Sequence, residues 1–122
     1  MLGVNAYPNE YIHDCRQLMD RMLAAKPKSG PQCESLVLTL DRMFVHRLRG
    51  VEGKDGNPAN EVRVLCDAIL EHGGVLHSDK QIKLDPSTSV LGLHVGDTIT
   101  LTAKDVTRLA AAYFDEIEAK FT

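Results

Sequence analysis

The chain has no tryptophan, and aromatic side chains make up only 5% of its 122 residues. Platforms that stack single-stranded nucleic acid use several exposed aromatics, and few are on offer here. Positive charge is also scarce: 14 Lys and Arg stand against 17 Asp and Glu, for a net charge of -3. The basic footprint of a DNA- or RNA-binding domain is therefore missing, and nucleic acid is not an expected partner. The three cysteines, Cys15, Cys33 and Cys66, are odd in number, far apart and form no C-x-x-C. That argues against a disulfide framework and a cysteine-based zinc site. No apolar run approaches the ~18 residues of a membrane span, so no membrane partner is expected. The segment Met1-Leu2-Gly3-Val4-Asn5 lacks the basic and then apolar pattern of a secretory signal. A cytoplasmic location is the expectation from these absences.

What remains is ordinary globular composition, 43% hydrophobic and 25% charged, enough for one domain over residues 1–122 with a core of its own. Pro8 suits a first helical position. Tyr11, Ile12, Cys15, Leu18, Met19, Met22 and Leu23 then form an apolar stripe at helical period. Lys26 to Pro31, with two prolines and a glycine, ends that helix. A second helix is expected over Glu34 to Arg49, with Leu36, Val37, Leu40, Phe44 and Leu48 inward and Gly50 as its stop. Asn57-Pro58 supplies a cap and first turn for a third helix. Val62, Leu65, Cys66, Ile69 and Leu70 line its inner face, an Arg63–Asp67 pair lies on it, and Gly73-Gly74 closes it. Gln81–Leu84 and Thr98–Leu101 alternate as half-buried strands do. Thr102 and Asp105 form a capping box ahead of a last stripe, Val106, Leu109, Ala110, Tyr113, Phe114, Ile117 and Phe121. The expected fold class is mainly α: about four amphipathic helices in a bundle, with a small extended or hairpin element between the third and fourth. The last stripe belongs to the core or, alternatively, to a homodimer face.

The segment Arg42 to Arg63 concentrates charge. It carries Arg42, Arg47, Arg49, Lys54 and Arg63 against Glu52, Asp55 and Glu61, a local net of +2, which leaves -5 on the rest. Arg42, His46 and Arg49 would share one face of a continuous helix. Gly50, Gly53 and Gly56 would let backbone N–H groups approach a ligand, and the helix beginning at Pro58 has free donors at its positive end. Arg42, His46, Arg47, Arg49, Gly53, Lys54, Gly56 and Asn57 are accordingly the candidate ligand-binding residues. An anionic small molecule or an acidic protein surface is the expected partner. The competing reading is a helix–loop–helix corner, in which glycines supply turn conformations and Arg and Glu tie the corner together.

Other chemistries fit less well. A phosphate-binding P-loop needs G-x-x-x-x-G-K-[ST] after a strand, and the string is missing. In a calcium loop with Gly56 or Gly53 sixth, the first ligand would be Val51 or Leu48, neither of which coordinates. The histidines, His13, His46, His72, His77 and His94, contain no H-x-x-x-H pair. A zinc site would need His72 and His77 to meet a third ligand such as His46. His13, Asp14 and Cys15 are consecutive, so on a helix they diverge and cannot act as a catalytic relay. Cys15 and Cys66 read as core. Arg42 with His46 faintly resembles the arginine–histidine pair of helical ribonuclease domains, without further support.

The run His46-Arg47-Leu48-Arg49-Gly50-Val51-Glu52-Gly53-Lys54-Asp55-Gly56-Asn57-Pro58, with Ser89-Val90-Leu91-Gly92-Leu93 and the last helix, resembles a family of small uncharacterised bacterial proteins. The likeness extends over most of the chain and transfers no catalytic residue; no metal or cofactor is expected. The expected function is a non-enzymatic binding or interaction module, as a homodimer, with the Arg42–Arg63 segment engaging an anionic small ligand or an acidic partner surface. The alternative is a small enzyme using His46 as acid or base beside Arg42 and Arg49.

Overall fold

The structure, a computed structural model, describes residues 3–79 and 81–122. Its helices are α1 (Asn9–Ala24), α2 (Pro31–Met43), the single turn α3 (Arg49–Glu52), α4 (Pro58–Glu71) and α5 (Ala103–Phe121). The long helices pack as a bundle, with α2 and α5 against α4 and α1 against α5. Their inner faces meet in one apolar cluster that includes Met19, Val37, Leu40, Phe44, Leu65, Leu109, Tyr113 and Phe121. No helix among the described residues is long and apolar enough to cross a membrane.

Local signals place α4 and α5 as expected. The Asn57 side chain accepts the Asn60 N–H, and Pro58 opens the helix. Beyond Glu71, Gly73 and Gly74 take positive φ, and the Gly74 N–H returns to the Ala68 carbonyl. Thr102 and Asp105 form a reciprocal capping box. All seven expected apolar residues of α5 are buried, from Val106 to Phe121, so this stripe is core and does not provide a dimer face.

The second helix departs from expectation at both ends. It begins at Pro31, where the fixed proline φ suits a first turn, and it stops at Met43. Phe44 adopts φ -131, the chain turns, and α3 starts only at Arg49. Arg42, His46 and Arg49 therefore share no helical face, and Gly50 lies inside α3 rather than ending a helix. The turn lets the amino-terminal segment lie alongside: the Val4 N–H donates to the His46 carbonyl, and the Leu48 N–H to the Val4 carbonyl.

Between α4 and α5 the chain is extended and irregular. Ile82, Ile99 and Leu101 are buried while Gln81, Lys83, Thr98 and Thr100 face out, so the expected alternation is present. The two alternating stretches do not pair with each other. Lys83 bridges in parallel to Asp55, and Thr98 bridges antiparallel to Val75. Gly56 permits the first of these contacts. A Cβ there would sit 2.9 Å from the Lys83 carbonyl oxygen and 3.2 Å from the Asp85 nitrogen.

This packing separates two glycines that look alike in sequence. Gly56→Ala is expected to cost about 1–3 kcal/mol, because backbone rather than a flexible side chain must give way. Gly50 sits in α3 with nothing near its would-be Cβ. Gly50→Ala should therefore stabilise by about 0.4–1 kcal/mol through the unfolded state. Urea denaturation of the two variants checks both signs.

Candidate functional site

The arginine-rich segment does gather guanidinium groups around an anion, and that anion is the chain's own Glu52. Its carboxylate is completely buried. Arg63 grips it with two hydrogen bonds of 3.0 Å, Arg49 lies at 3.3 Å, and Arg47 donates through Nε. The Glu52 main-chain carbonyl accepts from Lys120 and from the Asn57 amide. Burial works to raise the Glu52 carboxyl, but the hydrogen bonds and charges of Arg63 and Arg47 outweigh it and hold it below the ordinary range.

Arg47, also wholly buried, uses every donor group. Nη1 reaches Asp41 at 3.0 Å, the Phe44 carbonyl at 3.2 Å and the Tyr113 hydroxyl at 3.4 Å, while Nη2 reaches the Ala59 carbonyl at 3.1 Å. A guanidinium buried with an acceptor on each of its three nitrogens is held by the fold rather than offered to an incoming ligand. The expected Arg63–Asp67 pair is replaced by Arg63–Glu52. Asn57 and Asn60 finish the corner by donating to Glu52, Gly53 and Asp55 oxygens.

The remaining candidate residues are dispersed over different surfaces. Arg42 and His46 line a 510 Å³ groove between α1, the end of α2 and the amino-terminal segment, with Tyr7, Tyr11, Leu18, Met43 and Val45. Arg49 lines a separate cavity beside α4. Lys54 faces another, with Asp55, Gln81 and Lys83. Gly53 takes φ 87 at the end of α3, and Gly56 is covered by backbone. The structure thus joins Arg42 to His46 and separates both from Arg49 and Lys54.

Glu61 is a second buried carboxylate, which sequence reading left as one surface charge among others. It accepts the N–H groups of Val90 and Leu91 at 2.8 and 3.0 Å, and Arg108 holds the Val90 carbonyl at 2.7 Å. Burial pushes its carboxyl up, and these donors offset only part of that. The cysteines are free and buried. Burial pushes the Cys66 thiol up to about 12, which leaves it unreactive at neutral pH. The His72 and His77 rings meet edge to face at 3.9 Å, but His46 lies in the other groove. Among the described residues no three His, Cys, Asp or Glu side chains converge to hold a metal.

Sequence reading missed the groove because Tyr11 and Leu18 fit the apolar stripe of α1. In the fold, Tyr11 is 41% and Leu18 42% exposed. The Tyr11 hydroxyl donates to the Met43 carbonyl at 2.5 Å, which holds the ring at the end of α2. Tyr7 packs edge-on against Phe44 at 4.9 Å behind it. No family model, curated protein or solved structure matches this chain. The site is therefore argued from its own geometry.

Glu52→Gln should destabilise by about 3–5 kcal/mol, because it removes the buried charge shared by Arg47 and Arg63 and leaves Arg47 with Asp41 at 3.0 Å as its carboxylate partner. Arg49→Ala, which removes a half-exposed partner, should cost no more than about 1 kcal/mol. The folded Glu52 carboxyl titrates below the ordinary carboxylate range, so its stabilisation is complete above that range and is lost as the pH falls through the folded value. Glu61, shifted upward, acts with the opposite sign, and comparison with E52Q isolates Glu52. Between about pH 6 and about pH 3, the urea midpoint of the wild type should fall further than that of E52Q.

Proposed function

We propose that the protein is a non-enzymatic interaction module that takes an acidic, apolar-anchored segment of a partner protein in the α1/α2 groove. The observation that carries this reading is the clustering of exposed apolar side chains beneath a cationic rim. Tyr11, Leu18 and Val45 are three of the six large hydrophobics exposed among the described residues, and all three line the groove beside Arg42 and His46. Single exposed apolar residues are commonplace, whereas contiguous ones rimmed by polar groups mark interaction surfaces. Arg42 is exposed with His46 beside it, so the Arg42 charge is available to steer and orient an acidic partner. An amphipathic helix presenting anchors at i, i+3 or i+4, and i+7 suits such a groove.

The acid–base alternative draws support from the shared location of Arg42 and His46. It lacks a group to orient the imidazole, since no hydrogen bond to the His46 side chain exists among the described residues, and Arg49 serves another cavity. The binding reading needs neither.

Fluorescence polarisation with a labelled acidic amphipathic peptide tests the proposal. The wild type should bind, and more weakly as salt is raised. Arg42→Glu should weaken binding at least ~tenfold, equivalent to about 1.4 kcal/mol. Leu18→Asp should abolish it, with circular dichroism unchanged in both variants. Equal binding of a basic peptide, or indifference to Arg42→Glu, would overturn the reading. Self-association lost in Leu18→Asp would identify a second copy of the chain as the occupant instead.

A further inference from the structure

The α1/α2 groove suits an amphipathic helix with acidic side chains beside its apolar anchors, and the chain contains such a helix. Among the described residues, α1 is the one helix that carries two exposed large hydrophobics, Tyr11 and Leu18. They stand seven residues apart, so they stack on one edge two turns from each other. Glu10, Asp14 and Arg21 follow that edge at offsets of four and seven, and all three are exposed. Arg16 and Asp20 of the same helix lie on its other side, in a small cleft against α5. The edge of α1 beside the groove is therefore acidic over its first half and ends on a cation. The end of α2 brings Arg42 to the groove's other wall.

We propose that the occupant of the groove is a second copy of the chain: two copies join through their α1/α2 faces about a two-fold axis, with Asp14 of each against Arg42 of the other. This dimer rests on the reading of the groove as a binding surface.

A two-fold interface presents one patch twice, so the patch must be complementary to itself. A face charged with one sign repels its own copy. Here the signs are divided between the two walls, and the two-fold rotation lays the α1 wall of one copy on the α2 wall of the other. The same rotation runs the two α1 helices antiparallel, which brings Glu10 of each towards Arg21 of the other. These charges are free to pair. Among the described residues Glu10, Asp14, Arg21 and Arg42 take part in no salt bridge. Arg16, on the side of α1 that packs within the fold, is fastened to Asp115 and Glu118 at 2.9 and 3.0 Å. The apolar part of the face is also ready for a partner. The Tyr11 hydroxyl is tied to the Met43 carbonyl, so its ring is set across the groove before docking and little of its freedom is lost on association. Leu18 and Val45 complete an apolar centre with charges at its rim, the arrangement of protein interfaces.

Sedimentation equilibrium of the full chain over a concentration series is the test. The wild type should dimerise reversibly, and more weakly as salt is raised. Leu18→Asp should leave a monomer with unchanged circular dichroism. Asp14→Arg alone and Arg42→Glu alone should each weaken the dimer at least ~tenfold, because each sets like charges together at both contacts. An equimolar mixture of these two variants should recover the dimer, since both contacts between unlike copies again join opposite charges. No recovery on mixing, or a dimer that survives Leu18→Asp, would put the interface on another face and overturn the proposal. A chain that stays monomeric throughout would overturn it as well, and titration with the acidic amphipathic peptide then decides what else falls. A monomer that binds the peptide loses the dimer alone, whereas a monomer that does not bind it loses the reading of the groove too.

Discussion

The fold depends on the contact between Glu52 and Arg47. Arg47 leaves the chain just after α2 and turns inward, where its guanidinium reaches Asp41 on α2, the Ala59 carbonyl on α4 and the Tyr113 hydroxyl on α5. Glu52, five residues on, meets it from α3 and recruits Arg63 from α4. Lys120 from α5 takes the Glu52 carbonyl. Burying such charges costs several kcal/mol per ion, and the cost is recovered only if every donor and lone pair is used. Each of the three Arg47 nitrogens has at least one acceptor. Breaking the pair is therefore far more damaging than its net contribution suggests. What the pair supplies is a single geometry: α3 must form, α2 must end at Met43, and the loop to α4 must follow the path that Asn57 and Asn60 line with hydrogen bonds.

That geometry also sorts the surface charge. Of the cations concentrated between residues 42 and 63, Arg47, Arg49 and Arg63 are drawn to one internal carboxylate. Arg42 and His46 are left at the α1/α2 groove and Lys54 at another surface. Asp67 and Glu71 of α4 line a cavity with the segment that follows the helix, and Arg49 lines it too. A chain of modest net charge thereby acquires a groove with a cationic rim. The rim does not follow from the sum of its charges, because the largest local excess is spent inside.

How much of this could be read in advance depended on whether the signal was local. Asn57-Pro58 and the Thr102–Asp105 box act within one turn, and the helices they start are where the sequence puts them. The end of α2 is different. Leu40, Phe44 and Leu48 keep helical spacing and no breaker lies between Met43 and Arg49, so local reasoning extends the helix to Arg49. It stops because Arg47 must point inward to partners on three other helices, which no window of sequence reveals. The sequence offered two readings of the arginine-rich segment, an anion site and a corner tied together by Arg and Glu, and the Glu52 contacts with Arg47, Arg49 and Arg63 are those of the corner. Which glutamate would be buried was not legible, because counting charges treats each carboxylate as solvated. The same holds for Glu61. A stripe on α1 as wide as Tyr11 to Leu23 could have warned that its neighbours would not cover all of it. The alternation at 81–84 and 98–101 correctly marked inward and outward residues, but a period of two does not name a partner strand.

The division between buried and exposed polar groups bears on where function can reside. A residue held by the fold cannot be released for a ligand without paying back the whole network. Arg47, Asn57 and Asn60 are in that position, and their substitution would report stability whatever the protein binds. Arg42 and His46 carry no such obligation among the described residues, nor do the exposed ring edge of Tyr11 or the side chains of Leu18 and Val45, beyond the single hydroxyl bond of Tyr11. Their exposure is not forced by the core, which closes behind them through Tyr7 and Phe44. Polar side chains at these positions would leave the buried cluster intact and improve solubility. An apolar floor with a cationic edge, kept where the fold does not require it, is a feature whose cost is recovered only when something covers it.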